Sequence, residues 1–189
     1  AEWAYTHCPF HRARWDAAGF KPEQLATLDD LRRMPFMTRE DWMASIAEQP
    51  LFGDLPTTDH AHAIRYHLTS GTSGRTPIRV LDGTKNWEWI AEMWCYGLWG
   101  FGVRPEDVVY VAFGYGQFIG FWGLHYGSEK LGALVVPGGA QTTEGRVKLL
   151  LEMGATTVAS TPTYALRLLQ QAAEMGIDLA RDSKVKRVI

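Results

Sequence analysis

The run VVYVAF, Val108 to Phe113, is short, β-branched and apolar throughout, without the alternation of a half-exposed strand. Such a run suits a strand covered on both faces, as in parallel sheets. Two more runs of this kind follow, ALVVP (Ala133 to Pro137) and TTVAS (Thr156 to Ser160). Between them lie segments with helical character. One runs from about Trp122 to Leu131, and one from Thr142 or Thr143 to about Met153. A third has Pro162 in its first turn, where a missing N–H costs nothing, and ends near Gly176. Strand and helix therefore alternate at least three times after residue 100. That pattern predicts βαβ units with right-handed crossovers: an α/β fold, mainly a parallel sheet with flanking helices.

Upstream the texture differs. Residues 1–60 read as a helical lead-in of short helices and turns. Thr38 and Asp41 have capping-box spacing and open a short helix around Trp42 to Ala47. Pro50 to Asp59 is rich in turn formers. Residues 61–189 form the α/β portion. In it Ile64 to Thr69 and Ile78 to Leu81 read as strands around a Gly/Ser/Thr loop. Thr84 can cap a helix running to about Gly100, and a turn at Val103 to Asp107 leads into Val108. The final residues, Val185 to Ile189, read as a strand, so this portion is expected to be incomplete at its C-terminus.

Composition narrows the function classes. The chain is 46% hydrophobic and 21% charged, which is globular rather than disordered. A formal charge of −2 provides no electrostatic footprint for nucleic acid. Val108 to Ser128 carries no Asp, Glu, Lys or Arg, but Gly114, Gly116, Gly120, Gly123 and Gly127 break it up. A strand, a glycine loop and a buried helix explain it better than a membrane span. No signal peptide is visible. Cys8 and Cys95 show no ligand spacing and read as free thiols in a reducing, cytoplasmic setting.

The loop Leu68-Thr-Ser-Gly-Thr-Ser-Gly-Arg-Thr-Pro77 carries the most chemistry. Gly71 and Gly74 let the backbone approach a ligand closely. Successive N–H groups and the hydroxyls of Thr69, Ser70, Thr72 and Ser73 can donate to phosphate oxygens. Arg75 adds a fixed charge and a planar fork. The loop lacks the Gly-Lys-Ser/Thr ending and the following helix of a Walker A motif. By composition alone, a flexible Ser/Gly hairpin is an equal alternative.

The order of these residues resembles the (S/T)(S/T)G(S/T)(S/T)GxP loop of the adenylate-forming superfamily. Arg75 stands where Lys is usual, and Thr76 displaces the proline by one. Further blocks are similar to the N-terminal portion of the phenylacetate–CoA ligase family. They are Cys8-Pro-Phe-His-Arg, Asp30 to Asp41, Gly114-Tyr-Gly-Gln-Phe-Ile-Gly with His125-Tyr-Gly, Pro137-Gly-Gly-Ala with Thr143-Glu, and Thr161-Pro-Thr-Tyr-Ala-Leu.

The resemblance implies an AMP-forming acid–thiol ligase. It would convert an aryl, phenylacetate-like acid to acyl-AMP and then to a CoA thioester, with ATP, Mg2+ and CoA. Thr69, Ser70, Gly71, Thr72, Ser73, Gly74 and Arg75 would hold ATP phosphates. Tyr115, Phe118, Gly120, Phe121, His125 and Pro162 would border the acyl pocket, reshaped by Phe121 and Trp122 where relatives carry small residues. No catalytic residue and no metal ligand is assigned to the segment, and alone it is expected not to form acyl-AMP. The partners implied are a small carboxylic acid, ATP and CoA, with no nucleic acid or membrane and room for a homodimer. Two rivals stay open: a non-catalytic binding or scaffold module, and an adenylating enzyme with another acceptor.

Other constellations have plainer readings. His125 can be a satisfied structural histidine, and the Thr161 to Tyr164 turn an ordinary helix cap. His60, His62 and His67 read as a solvated loop rather than a metal site. Trp87, Trp89, Trp94 and Trp99 read as packing a helix on the sheet.

Overall fold

The structure, a computed structural model, describes residues 1–57, 61–69 and 76–189. They form two compact units, Ala1–Thr84 and Lys85–Ile189. The sequence division at residue 60 follows texture, whereas these units follow packing.

In the first unit, α1 (Glu2–His7) and α2 (Pro9–Ala17) precede two short 3-10 turns, Pro22–Gln24 and Leu28–Arg33, and α3 (Arg39–Glu48). Cys8, Phe10, Trp15 and Phe20 are buried, with Trp15 edge-on to Phe20 at 5.6 Å. The capping box expected at α3 is present. Asp41 N–H donates to Thr38 Oγ1 at 3.2 Å, and Thr38 N–H donates to Asp41 Oδ2 at 2.8 Å. Thr38→Ala removes an acceptor for an otherwise orphaned helix N–H. It should cost about 1 kcal/mol, read as a lower urea midpoint at unchanged m-value. The unit closes with an antiparallel pair, β1 (Arg65–Leu68) and β2 (Arg79–Asp82), in which Leu68 faces Arg79.

The second unit begins with α4, a helix of Thr84–Gly100 whose first residue lies in the preceding unit. It continues through β3 (Val108–Val111), α5 (Ile119–Leu131), β4 (Leu134–Pro137), α6 (Thr143–Glu152), β5 (Thr157–Ala159), α7 (Pro162–Glu174), α8 (Leu179–Asp182) and β6 (Arg187–Val188). The four strands form one parallel sheet in the order β4-β3-β5-β6. β3 is central, and its side chains go both ways. Tyr110 packs with Val147 and Leu150 of α6 and Leu168 of α7. Val109 and Val111 pack with Leu98 of α4 and Leu124 of α5. Helices on both faces leave no polar side, which is why this strand does not alternate.

The helix ends follow local chemistry. Gly145 N–H donates to Thr142 Oγ1 at 3.0 Å to start α6. Tyr164 N–H donates to Thr161 Oγ1 at 3.3 Å to start α7, with Pro162 in its first position. α5 ends at Gly132, whose φ of 96° is left-handed and favours glycine.

Asp107 locks the entry to β3. Its carboxylate accepts from Arg104 N–H at 2.8 Å, from Thr156 Oγ1 at 2.7 Å and from Arg187 at 3.0 Å. One side chain thereby joins the start of β3 to the segments entering β5 and β6. Among the described residues no helix is long and apolar enough to cross a membrane.

Two expectations need correction. Trp87 is buried, but Trp89 and Trp99 are 63% and 53% exposed and do not pack on the sheet. Trp99 instead lies under the Arg104 guanidinium, 3.8 Å from its ring centre. His67 is not solvated. It is buried in β1, with Nδ1 3.0 Å from Asp82 Oδ2, close enough for an ion pair but without the alignment of a hydrogen bond.

Candidate active site

The expected phosphate loop leaves β1 and returns to β2. Ser70, Gly71, Thr72, Ser73, Gly74 and Arg75 lie outside the described residues. Its stem is described. Thr69 N–H donates to Ile78 O at 3.0 Å, and Ile78 N–H donates to Thr69 Oγ1 at 2.9 Å. The Thr69 hydroxyl thus accepts through its oxygen to close the stem and keeps one proton to donate. On the return side, the Arg39 guanidinium donates to Thr76 O.

In the second unit, the segment after β3 turns through Gly116, whose φ of +52° suits glycine, and enters α5. The Trp122 indole N–H donates to Gly116 O at 2.9 Å and pins this turn to the helix. The Tyr115 hydroxyl lies 2.9 Å from His125 Nδ1, and His125 Nε2 lies 3.0 Å from Glu129 Oε1. Burial, reinforced by the Glu129 charge, pushes the Tyr115 phenol up to about 12. It therefore stays protonated and able to donate, while a Glu129 carboxylate can only accept, from Nε2–H. In that tautomer of the imidazole Nδ1 accepts from the Tyr115 hydroxyl. This chain of polar groups fixes the ring of His125 and ties the glycine turn to α5.

Beside it lies a cavity of about 310 Å³ without a polar wall. Phe113, which follows β3, stacks on Phe121 of α5 at 4.1 Å. Phe118 meets Phe121 at 5.0 Å and 61°. Gly120 makes room for this, because a Cβ there would come within 2.6 Å of the Phe118 ring. Trp94, Gly97 and Leu98 of α4 border the same space, as does Ala159 at the end of β5. The cavity sits where β3 and β5 end, the place at which open α/β sheets bind ligands.

The acyl-pocket residues singled out from the sequence fall in three places. Phe118, Gly120 and Phe121 meet at the cavity. Tyr115 and His125 form the adjoining hydrogen-bonded chain, and Pro162 occupies the first position of α7. Trp122 faces Tyr115 edge-on at 4.9 Å, in the polar chain rather than the cavity wall. Trp94 and its neighbours on α4 were missed as wall residues, since a tryptophan at helical spacing reads equally as core. The available signal was the Gly123/Gly127 pair, four residues apart on the facing helix. Among the described residues no three His, Cys, Asp or Glu side chains converge in a way that could hold a metal ion.

No protein-family model matches the chain. Over 170 residues it is 33% identical to the phenylacetate-coenzyme A ligase of Escherichia coli (strain K12), covering 89% of this chain and 37% of that enzyme. Over 175 residues it is 34% identical to the phenylacetate-coenzyme A ligase of Aromatoleum evansii, covering 93% and 38%. The chain thus spans less than two-fifths of the length of these curated relatives. Among solved structures it is similar to 2-hydroxyisobutyryl-CoA ligase in complex with 2-HIB-AMP and CoA. That likeness has a TM-score of 0.89 and 33% identity over 99% of this chain and 43% of the other.

Proposed function

Because this chain belongs to the phenylacetate–CoA ligase family of adenylate-forming enzymes, we propose that it is part of an enzyme activating a compact apolar acid. In the first step the acid's carboxylate oxygen attacks the α-phosphorus of ATP, forming acyl-AMP as pyrophosphate leaves. In the second, the CoA thiol attacks the acyl carbon, forming the thioester and releasing AMP and a proton. Phosphoryl displacements of this kind are accelerated by positioning and by neutralising charge on the departing oxygens.

Each residue group of this chain has an assigned part. The amides and hydroxyls from Thr69 to Gly74, with the Arg75 guanidinium, would hold the β- and γ-phosphates and then the leaving pyrophosphate. Thr69 would do so while closing the stem through Ile78. The Phe113, Phe118 and Phe121 rings would take the acyl group. Tyr115, His125 and Glu129 would keep the turn between β3 and α5 in place beside it. Mg2+ would enter with ATP, and no residue of this chain is assigned to it.

The observation that carries the substrate reading is the cavity. The part of it that this chain lines measures about 310 Å³, room for a small acyl group, and its wall is aromatic and aliphatic. One aryl ring or a short branched alkyl group fits that description, and the 2-hydroxyisobutyryl-CoA ligase likeness favours including the latter. The test is ATP–pyrophosphate exchange, followed by thioester formation with CoA, by the full-length protein. The panel is phenylacetate, benzoate, isobutyrate and palmitate. Phenylacetate, benzoate or isobutyrate should exceed palmitate by at least about tenfold in kcat/KM. A preference for palmitate overturns the substrate reading. No exchange with any acid overturns the reaction itself. Exchange without thioester points to a different acyl acceptor.

A further inference from the structure

We propose that Trp94 sets the depth of the acyl cavity, held in a groove that Gly123 and Gly127 leave on α5. The inference rests on the reading of that cavity as the acyl site. It goes further by naming the residue that decides the size of acid admitted.

Gly123 and Gly127 are four residues apart and so lie on one face of α5, one above the other. Both positions are spoken for by the same side chain. A Cβ built on Gly123 would lie 2.1 Å from Trp94 Nε1 and 2.7 Å from its Cδ1. A Cβ on Gly127 would lie 2.4 Å from Trp94 Cβ. Real atoms do not approach this closely, so any side chain at either position would displace Trp94. The two glycines form a slot, and the Trp94 side chain occupies it.

Trp94 also borders the cavity, in company with Gly97 and Leu98 one turn further along α4. Gly97 has open space where a side chain would stand, so α4 adds bulk to the cavity there through Trp94 and Leu98 rather than through residue 97. The indole is thus a wall of the cavity with its back against α5. Cutting it away deepens the cavity. Filling the slot behind it forces the ring off α5, and the adjacent open space is the cavity. The two changes alter the available volume in opposite senses, which simple packing of α4 on α5 does not require.

The test uses the full-length enzyme with acids of rising size: isobutyrate, phenylacetate and 2-naphthylacetate. The readout is kcat/KM in ATP–pyrophosphate exchange. Trp94→Ala should raise the ratio of 2-naphthylacetate to isobutyrate by about tenfold or more, the scale on which apolar pockets discriminate size. Gly123→Ala should lower that ratio. In the double variant the added methyl has nothing to displace, so it should behave as Trp94→Ala alone. KM for ATP should stay constant throughout, which general damage to the unit would not allow.

If Trp94→Ala does not fold, Trp94→Phe keeps an aromatic ring in the slot and should move the ratio the same way by less. An unmoved ratio in a folded Trp94 variant overturns the proposal, as does a shift of the same sign from Trp94→Ala and Gly123→Ala. A series in which no variant folds also overturns it, since the indole then serves packing alone. If the wild-type enzyme activates none of these acids, the fault lies with the acyl-site reading. An active wild type with an unmoved ratio condemns only the role of Trp94.

Discussion

Arg75→Ala in the full-length protein is expected to slow ATP–pyrophosphate exchange about 100-fold, with KM for the acid unchanged. The expectation follows from the proposed place of Arg75 at the end of the phosphate loop. In the adenylation step negative charge accumulates on the departing pyrophosphate. A guanidinium held there would stabilise that charge, and its planar fork could bind two oxygens at once. Alanine removes both the charge and the fork while leaving the backbone amides, so activity should fall without vanishing. Arg75→Lys keeps the charge and should recover a large part of the loss, because only the planar fork is removed. Unchanged exchange in Arg75→Ala would sink the phosphate-loop assignment. A loss confined to KM for the acid would move Arg75 to the other substrate.

The second large effect concerns stability. Asp107→Ala should destabilise the protein by about 3 kcal/mol, measured by chemical denaturation. Asp107 is 4% exposed and accepts from Arg104 N–H, Thr156 and Arg187. Removing it strands three donors, one of them charged. The estimate lies at the lower end of the range for broken buried pairs, because the Arg187 side chain keeps 25% exposure to water.

Acid dependence should follow the same group. Burial alone would raise the Asp107 pKa, but the hydrogen bonds from Thr156, Arg104 N–H and Arg187, with the Arg187 charge, outweigh it and hold the pKa below its ordinary value. A lowered folded-state pKa means that the stabilisation is fully present above the unfolded value, about 4, and is lost as pH falls through the folded value. Asp107→Asn should therefore flatten the acid limb of the stability profile below about pH 4 and leave its slope at neutral pH unchanged. A variant that keeps the wild-type acid limb would show that other carboxylates govern it.

How far the sequence reached depended on whether the information was local. The strands at Val108, Ala133 and Thr156 were legible because helices on both sides of a parallel sheet demand apolar side chains on both faces. The helix starts at Thr38, Thr142 and Pro162 were legible because capping is settled within one turn. His67 was misread because its environment is set across the hairpin, by Asp82 on the returning strand. Trp89 and Trp99 were misread because aromatic content does not reveal which side of α4 meets the sheet.

The amino-acid order by itself determined the parallel α/β architecture, the glycine- and hydroxyl-rich loop and the likeness to phenylacetate–CoA ligases, since each is written in contiguous residues. Only the tertiary structure decided which aromatics share a cavity. Phe118 and Phe121 came together with Trp94, far away in the chain, while Tyr115 and Trp122 turned to the polar group around His125. The physical reason is that a cavity wall is made by helices meeting side by side. Their separation is set by the absence of side chains at Gly123 and Gly127, and where two helices touch is a property of the packed core rather than of either segment.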